Sequence, residues 1–247
     1  MDSRIVAIVV LQFVCAQSAL GYRPFDSTDA AVAGPGEFEL EFGPLGRLRE
    51  GSRRWNVSPA VIANLGFADD RELVIQGQRQ VALDREANEP RSAIVENGVF
   101  IKQVLRRGVL QEQSGPSIAT EYGLLLPSVH GENGTGFSIA GLGSQRSEWM
   151  TLHLNAAAGV NRAHDPELFL GAILEGPYAW RARPVAEIFT DHASGSPVTH
   201  SRLVGVILRA RDDLSFDIGI RQGSFGEESI RELRLGFTWS FSFKKEQ

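Results

Sequence analysis

The side chains whose types could do chemistry in this sequence are charged or polar groups set alternately among apolar ones. They are Glu121, His153, Asn155, Arg181, Arg183, Glu187, Arg209, Asp217, Arg221 and Arg234. The arginines gather between 181 and 234, with Glu187 and Asp217 among them. On the wall of a low-dielectric cavity, unpaired arginines would focus a positive field and attract anions. The other reading is a structural set of Arg–carboxylate pairs, because an unpaired buried charge is costly. Pairing is the stronger expectation, and the two can coexist.

Catalysis has little to build on. His153 and Asn155 share a face, but a separation of two on one strand is simple alternation, and no Ser stands obviously beside them. They read as a buried hydrogen-bonding pair. Asp69-Asp70 and Asp212-Asp213 sit in turn-like stretches, where Asp commonly bonds its own backbone. His130, His153, His164, His192 and His200 show no ligand spacing. The Gly-rich run 131–136 leads into neither a helix nor a Lys, so it is a loop and not a phosphate cradle. The one cysteine, Cys15, falls in the leader described below, which leaves no thiol chemistry or disulfides. No catalytic residue, metal or cofactor is expected.

The elements that carry these groups have a period of two. Leu235, Phe237, Trp239, Phe241 and Phe243 alternate with Arg234, Gly236, Thr238, Ser240 and Ser242, and Leu214, Phe216, Ile218 and Ile220 alternate likewise. Met150, Leu152, Leu154 and Ala156 face away from Thr151, His153 and Asn155. Pattern and turn signals give about twelve strands, near 36–43, 54–66, 71–83, 93–106, 117–127, 135–144, 148–161, 167–176, 179–190, 201–211, 213–222 and 230–243. Connections after even strands are short and those after odd strands are longer, as in outer-membrane barrels. The stretch 107–116 breaks that rule. The chain of 247 residues, with a net charge of −5 and no long basic block, suits one all-β domain and excludes nucleic acid as a partner.

Residues 1–21 read as a secretory leader: Arg4, an apolar run over 5–11 extended by Phe13 to Cys15, then Ala19-Leu20-Gly21 before Tyr22. An extended segment over 22–35, the barrel over 36–243 and a tail over 244–247 complete the division. The ending Arg234-x-Gly236-x-x-Trp239-x-Phe241 matches the closing-strand signal of outer-membrane proteins. That resemblance implies recognition by the barrel-insertion machinery. Trp55, Trp149, Trp180, Trp239 and Phe241 stand near strand ends, where aromatics anchor at the lipid interface. The expected fold is therefore an antiparallel up-and-down transmembrane β-barrel in the bacterial outer membrane.

Three local features resemble the outer-membrane "MetA-pathway of phenol degradation" transporter family. They are Lys102 in a strand followed by Gly115-Pro116-Ser117-Ile118-Ala119, then Gly123-Leu124-Leu125-Leu126-Pro127, then Leu152-His153-Leu154-Asn155. The likeness covers roughly residues 36 to 241 and implies passive passage of small, often aromatic or hydrophobic, solutes. Two alternatives remain open: a non-conducting structural or adhesion barrel, and a secreted soluble β-sandwich that binds a ligand.

Overall fold

The computed structural model describes residues 23–84 and 90–243, with the side chains of 56–59 left aside. The predicted leader and the tail over 244–247 lie outside the described residues. Twelve strands follow one another: β1 (Glu37–Glu50), β2 (Arg53–Ala68), β3 (Arg71–Ala82), β4 (Ser92–Arg106), β5 (Ser117–Leu125), β6 (Gly136–Arg146), β7 (Thr151–Val160), β8 (Pro166–Glu175), β9 (Ala182–Ala193), β10 (Thr199–Arg211), β11 (Leu214–Phe225) and β12 (Glu228–Ser242). Each pairs antiparallel with its sequence neighbour, and β1 pairs with β12 from Glu37↔Ser242 to Glu50↔Ile230. The sheet is thus a closed barrel with no free edge, the one sheet arrangement that leaves no strand N–H unsatisfied in hydrocarbon. Closure rules out the sandwich alternative.

Burial is inverted relative to a water-soluble protein. The buried residues of the wall include Glu39, Glu41, Glu72, Lys102, Glu187 and Arg234, whereas Ile75, Leu154, Leu170, Ile188, Phe216, Ile218 and Leu235 are exposed. The alternation of two therefore puts charge inside and hydrocarbon outside. On β12 the outward set runs from Leu233 to Phe243. At about 3.4 Å per residue and a tilt near 40°, that is an apolar band roughly 26 Å tall, matching a bilayer core. Outside the near end, Phe38, Trp239, Phe241 and Phe243 form a chain of rings, with Trp239–Phe241 and Phe241–Phe243 centroids both 5.1 Å apart. Among the described residues no helix is long and apolar enough to cross a membrane.

Two rims follow. The near rim carries the start of β1, the end of β12 and the tight turns before β3, β7, β9 and β11; the loop rim carries the other connections. The exceptional stretch 107–116 lies on the near rim and holds a short 3-10 helix, Val109–Gln111. One strand departs from expectation. The alternation places the first strand near 36–43, yet β1 runs on to Glu50 by a bulge between Phe42 and Leu45. Pro44 has no N–H for a ladder, and a bulge is one of the few places a strand can carry it.

Ile218, outward near the middle of β11, tests the inversion. Ile218→Arg should cost the folded barrel about 2–4 kcal/mol. Reversible guanidinium unfolding in lipid vesicles would measure it, and an unchanged midpoint would contradict the lipid-facing assignment.

Candidate functional site

The inner wall does not enclose a free bore. Residues 23–33, between the predicted leader and β1, pass round the inside of the barrel as a hoop. Arg23 starts against β11 and β12, its Nε 3.3 Å from Asp217 Oδ2. Its Nη1 also donates to the Gly43 carbonyl, which the β1 bulge turns inward. Gly43 has φ +127, a conformation suited to glycine. On the next strand, a Cβ at Gly236 would stand 2.4 Å from Arg23 Nε. These two glycines form the notch that admits the guanidinium.

From there the hoop crosses to β9, β7 and β6 and returns by β4 and β3. The Asp26 and Ser27 amides donate to Glu187 at 3.1 and 2.7 Å. The Thr28 amide donates to Asn155 Oδ1 at 2.9 Å, while Asn155 Nδ2 donates to the Thr28 carbonyl at 2.7 Å. The Ala30 amide donates to Ser144 Oγ at 3.1 Å and the Ala33 amide to Glu72 Oε2 at 2.7 Å. Lys102 Nζ donates to Thr28 Oγ1 and Asp29 Oδ1, both at 3.2 Å. A buried segment with no ladder must find acceptors elsewhere, and inward side chains of the wall supply them. Hydrogen bonds to charged groups are worth about 1.5–3 kcal/mol each, so the hoop is held firmly.

The predicted arginines divide by position. Arg234 donates to the Pro24 carbonyl at 2.7 Å and to Asp26 Oδ1 at 3.0 Å, and also bonds Glu232. Arg221 pairs with Glu232 at 2.8 Å and lies 3.9 Å from Asp26. Arg183 pairs with Glu175 at 3.2 Å. Inside the barrel these form a network of ion pairs and not a bare positive wall. Arg209 sits with Arg146 and Arg183 around the Tyr178 ring at the near rim. Arg181 is not a lumen residue: it precedes β9, is exposed, and donates to the Arg209 and Ala210 carbonyls. Asp217 and Glu187 are hoop anchors, and Glu121 lines the cavity below.

Two further expectations are corrected. His153 and Asn155 each bond beyond the pair, Asn155 to Thr28 of the hoop. His153 Nδ1 lies 2.8 Å from Ser144 Oγ, and its Nε2 is 4.0 Å from Glu175 Oε1. This Ser–His–Glu line was missed because Ser144 is on the neighbouring strand. The three residues are 1%, 2% and 4% exposed, and Ser144 Oγ accepts from the Ala30 amide, so the line helps to hold the hoop. Trp55 does not anchor at the lipid interface either. It is paired with Leu48, whose other neighbour is buried Glu232, and it packs against Leu48 and Ile230 on the inner side. Trp149, Trp180 and Trp239 are exposed at the near rim and Phe241 joins their level.

What the hoop leaves open is a cavity of about 320 Å³ whose lining reaches the loop-rim ends of β5 to β9 at Leu125, Ser138, Gly159, Glu167 and Asp191. Its floor is the hoop together with Glu39, Glu41, Asn64 and Glu72. The lining carries eight carboxyl side chains (Asp26, Asp29, Glu39, Glu41, Glu72, Glu121, Glu167 and Asp191) against two cations, Arg23 and Lys102. Phe25, Phe100 and Phe169 add aromatic surface. The 3-10 helix of the 107–116 stretch closes the near side, with Gln111 Nε2 donating to the Ala30 carbonyl at 2.9 Å and Leu110 packed on Ala30 and Ala119. Among the described residues no group of His, Cys, Asp and Glu is arranged to hold a metal ion.

This architecture is that of the outer-membrane β-barrels. The outer membrane channel of the COG4313 type from Pseudomonas putida F1 superimposes with a TM-score of 0.61 at 10% identity, over 88% of this chain and 100% of that one. The KdgM porin, solved in complex with disordered oligogalacturonate, superimposes with a TM-score of 0.56 at 11% identity, over 82% of this chain and 99% of that one. At such identities the likeness is one of fold. No protein-family model and no curated protein sequence matches the chain.

The anchoring of the hoop can be read chemically. With Cys15 replaced, a chain bearing Thr28→Cys carries a single thiol beside the cavity. Adding Glu187→Ala removes the acceptor for two hoop amides and should speed labelling by a small charged thiol reagent roughly tenfold, by the loss of about 1.4 kcal/mol or more. Equal labelling rates in the two backgrounds would show that Glu187 does not hold the hoop.

Proposed function

We propose that this chain is an outer-membrane channel through which small solutes pass passively, its near rim in the periplasm and its loop rim outside. The observation that carries the reading is the internal cavity that runs from the loop rim down to a hoop of the chain itself. The start of β1 and the end of β12 share the near rim and the loop rim carries the connections over 83–91 and 126–135, which suits that orientation. Against the pattern, β1–β2 and β11–β12 close at the loop rim in two residues and 107–116 lies on the near rim. The solute class follows from the lining. Carboxylates outnumber cations and phenylalanines stand among them, so cationic and neutral aromatic compounds are favoured over anions. The resemblance to transporters of aromatic compounds supports the same class. Arg23, Arg183, Arg221 and Arg234 add no anion path, because Asp217, Glu175, Glu232 and Asp26 neutralise them, while Arg146 and Arg209 stand over the Tyr178 ring at the near rim, away from the carboxylate-lined cavity.

The hoop makes the alternative of a non-conducting barrel concrete, and one experiment separates the two. In planar bilayers under a potassium chloride gradient, the chain should conduct weakly with a reversal potential of cation-selective sign. Deleting residues 23–33 should raise the conductance several-fold by removing the floor of the cavity. Glu39→Gln, Glu41→Gln and Glu72→Gln together should move the reversal potential toward zero. Absence of conductance both with and without the hoop would reject the channel and leave the structural barrel.

A further inference from the structure

Outside the barrel, beyond the apolar band, the sequence register builds a row of cations that the channel reading does not use. Arg202 on β10 is paired with Gln222 on β11, Gln222 with Arg231 on β12, Arg231 with Arg49 on β1, and Arg49 with Arg54 on β2. All five are exposed, and all continue outward sets: Arg231 follows Leu233 and Leu235, Gln222 follows Ile220 and Ile218, and Arg202 precedes Val204 and Val206. Arg47, also exposed, stands one outward position nearer the band, opposite Leu233. Five strands at about 4.8 Å spacing give a stripe roughly 19 Å across.

Such a row is unfavourable on its own. Like charges directly opposite on adjacent strands destabilise a sheet, and here Arg231, Arg49 and Arg54 are opposite in succession. Only Arg54 has a carboxylate, with Nε and Nη2 at 2.7 and 2.5 Å from Asp84. Those bonds hold the Asp84 carboxyl below its usual range. Arg202 donates to Gln222 Oε1 at 3.1 Å and Arg49 to the Gly51 carbonyl at 2.9 Å, so neither is neutralised. Among the described residues Arg47, Arg49, Arg202 and Arg231 make no ion pair.

We propose that this stripe is a binding site for a net-anionic phosphorylated lipid of the outer leaflet, its acyl chains on the band below and its phosphates on Arg47, Arg49 and Arg231. Position and chemistry both select that occupant. The row begins where the roughly 26 Å hydrocarbon band ends, at headgroup depth. Planar guanidinium groups bind phosphate oxygens bidentately, and weak hydration suits them to an interface. A second copy of the chain related by a two-fold axis would bring the same positive row against itself. The proposal rests on the outward orientation of the loop rim and not on conduction, so a closed barrel would leave it standing.

The test uses the full mature chain purified in a neutral detergent, with lipid A, phosphatidylcholine and inorganic phosphate as probes, bound lipid being counted by native mass spectrometry. Lipid A should be retained in preference to phosphatidylcholine, and inorganic phosphate at low millimolar concentration should not displace it. Arg47→Gln, Arg49→Gln and Arg231→Gln together should weaken lipid A binding by about fivefold for each arginine removed, with phosphatidylcholine unaffected. Should the triple variant not give a folded, heat-modifiable band, Arg231→Gln alone carries the same prediction, and 1 M sodium chloride should release lipid A from the unmodified chain. Lipid A binding that is unchanged in a folded variant overturns the proposal. Equal retention of phosphatidylcholine overturns it too, and displacement by inorganic phosphate would reduce the stripe to a free-anion site.

Discussion

The ladder between β1 and β12 is the contact on which the rest of the molecule depends. Without it the sheet has two edges, and each would present a column of unpaired amides and carbonyls to hydrocarbon at several kcal/mol per group. With it, every strand has two neighbours and the alternation of two can sort side chains by solvent. The seam is not uniform. It is broken between Phe42 and Leu45, and the break turns the Gly43 carbonyl toward the interior. The irregularity of the closing contact is therefore also the first foothold of the hoop.

Charge inside the barrel is distributed by the same logic. Burying a charge alone is costly, so the interior groups on β7 to β12 are spent on one another and on the hoop: Arg183 with Glu175, Arg221 and Arg234 with Glu232 and Asp26, Arg23 with Asp217. On β1 to β5 the balance differs. Glu39, Glu41, Glu72 and Glu121 have Lys102 as the cation among them, shared with Asp29. Asn64 bridges part of the excess, with Nδ2 at 2.9 Å from Glu41 and 3.4 Å from Glu39. The field of the cavity is set by that half of the wall. The arginine-rich strands, which dominate the sequence to the eye, contribute mainly cohesion.

Much of this is legible in the sequence. Eleven of the twelve strands lie within a few residues of the periodic segments, because alternation is enforced residue by residue wherever one face meets lipid and the other water; β1 runs seven residues past its expected end. What stayed hidden were contacts that cross the barrel or depend on register. Residues 22–35 carry no period and read only as an extended segment, although 23–33 line the lumen. Placing the turn at 145–147 sets His153 opposite Ile139; the real turn, over 147–150, sets it opposite Ser144. The first periodic segment stops at Gly43, and only the continuing β1–β2 and β1–β12 pairings show a bulge there and not an end. Trp55 fell on the wrong face because a tryptophan at a strand end is compatible with a girdle or with a packed mouth.

The hoop is joined to β1 through Gly34 and Gly36, whose backbones meet Gly66 and Glu37 at the root of the first strand. It is thus a peptide ligand tethered to its own receptor. A short tether holds such a ligand at an effective concentration in the millimolar range. Any solute that must displace it to pass works against that standing competitor, so the dose at which flux begins would be set by the leash as much as by the solute's own affinity for the carboxylates.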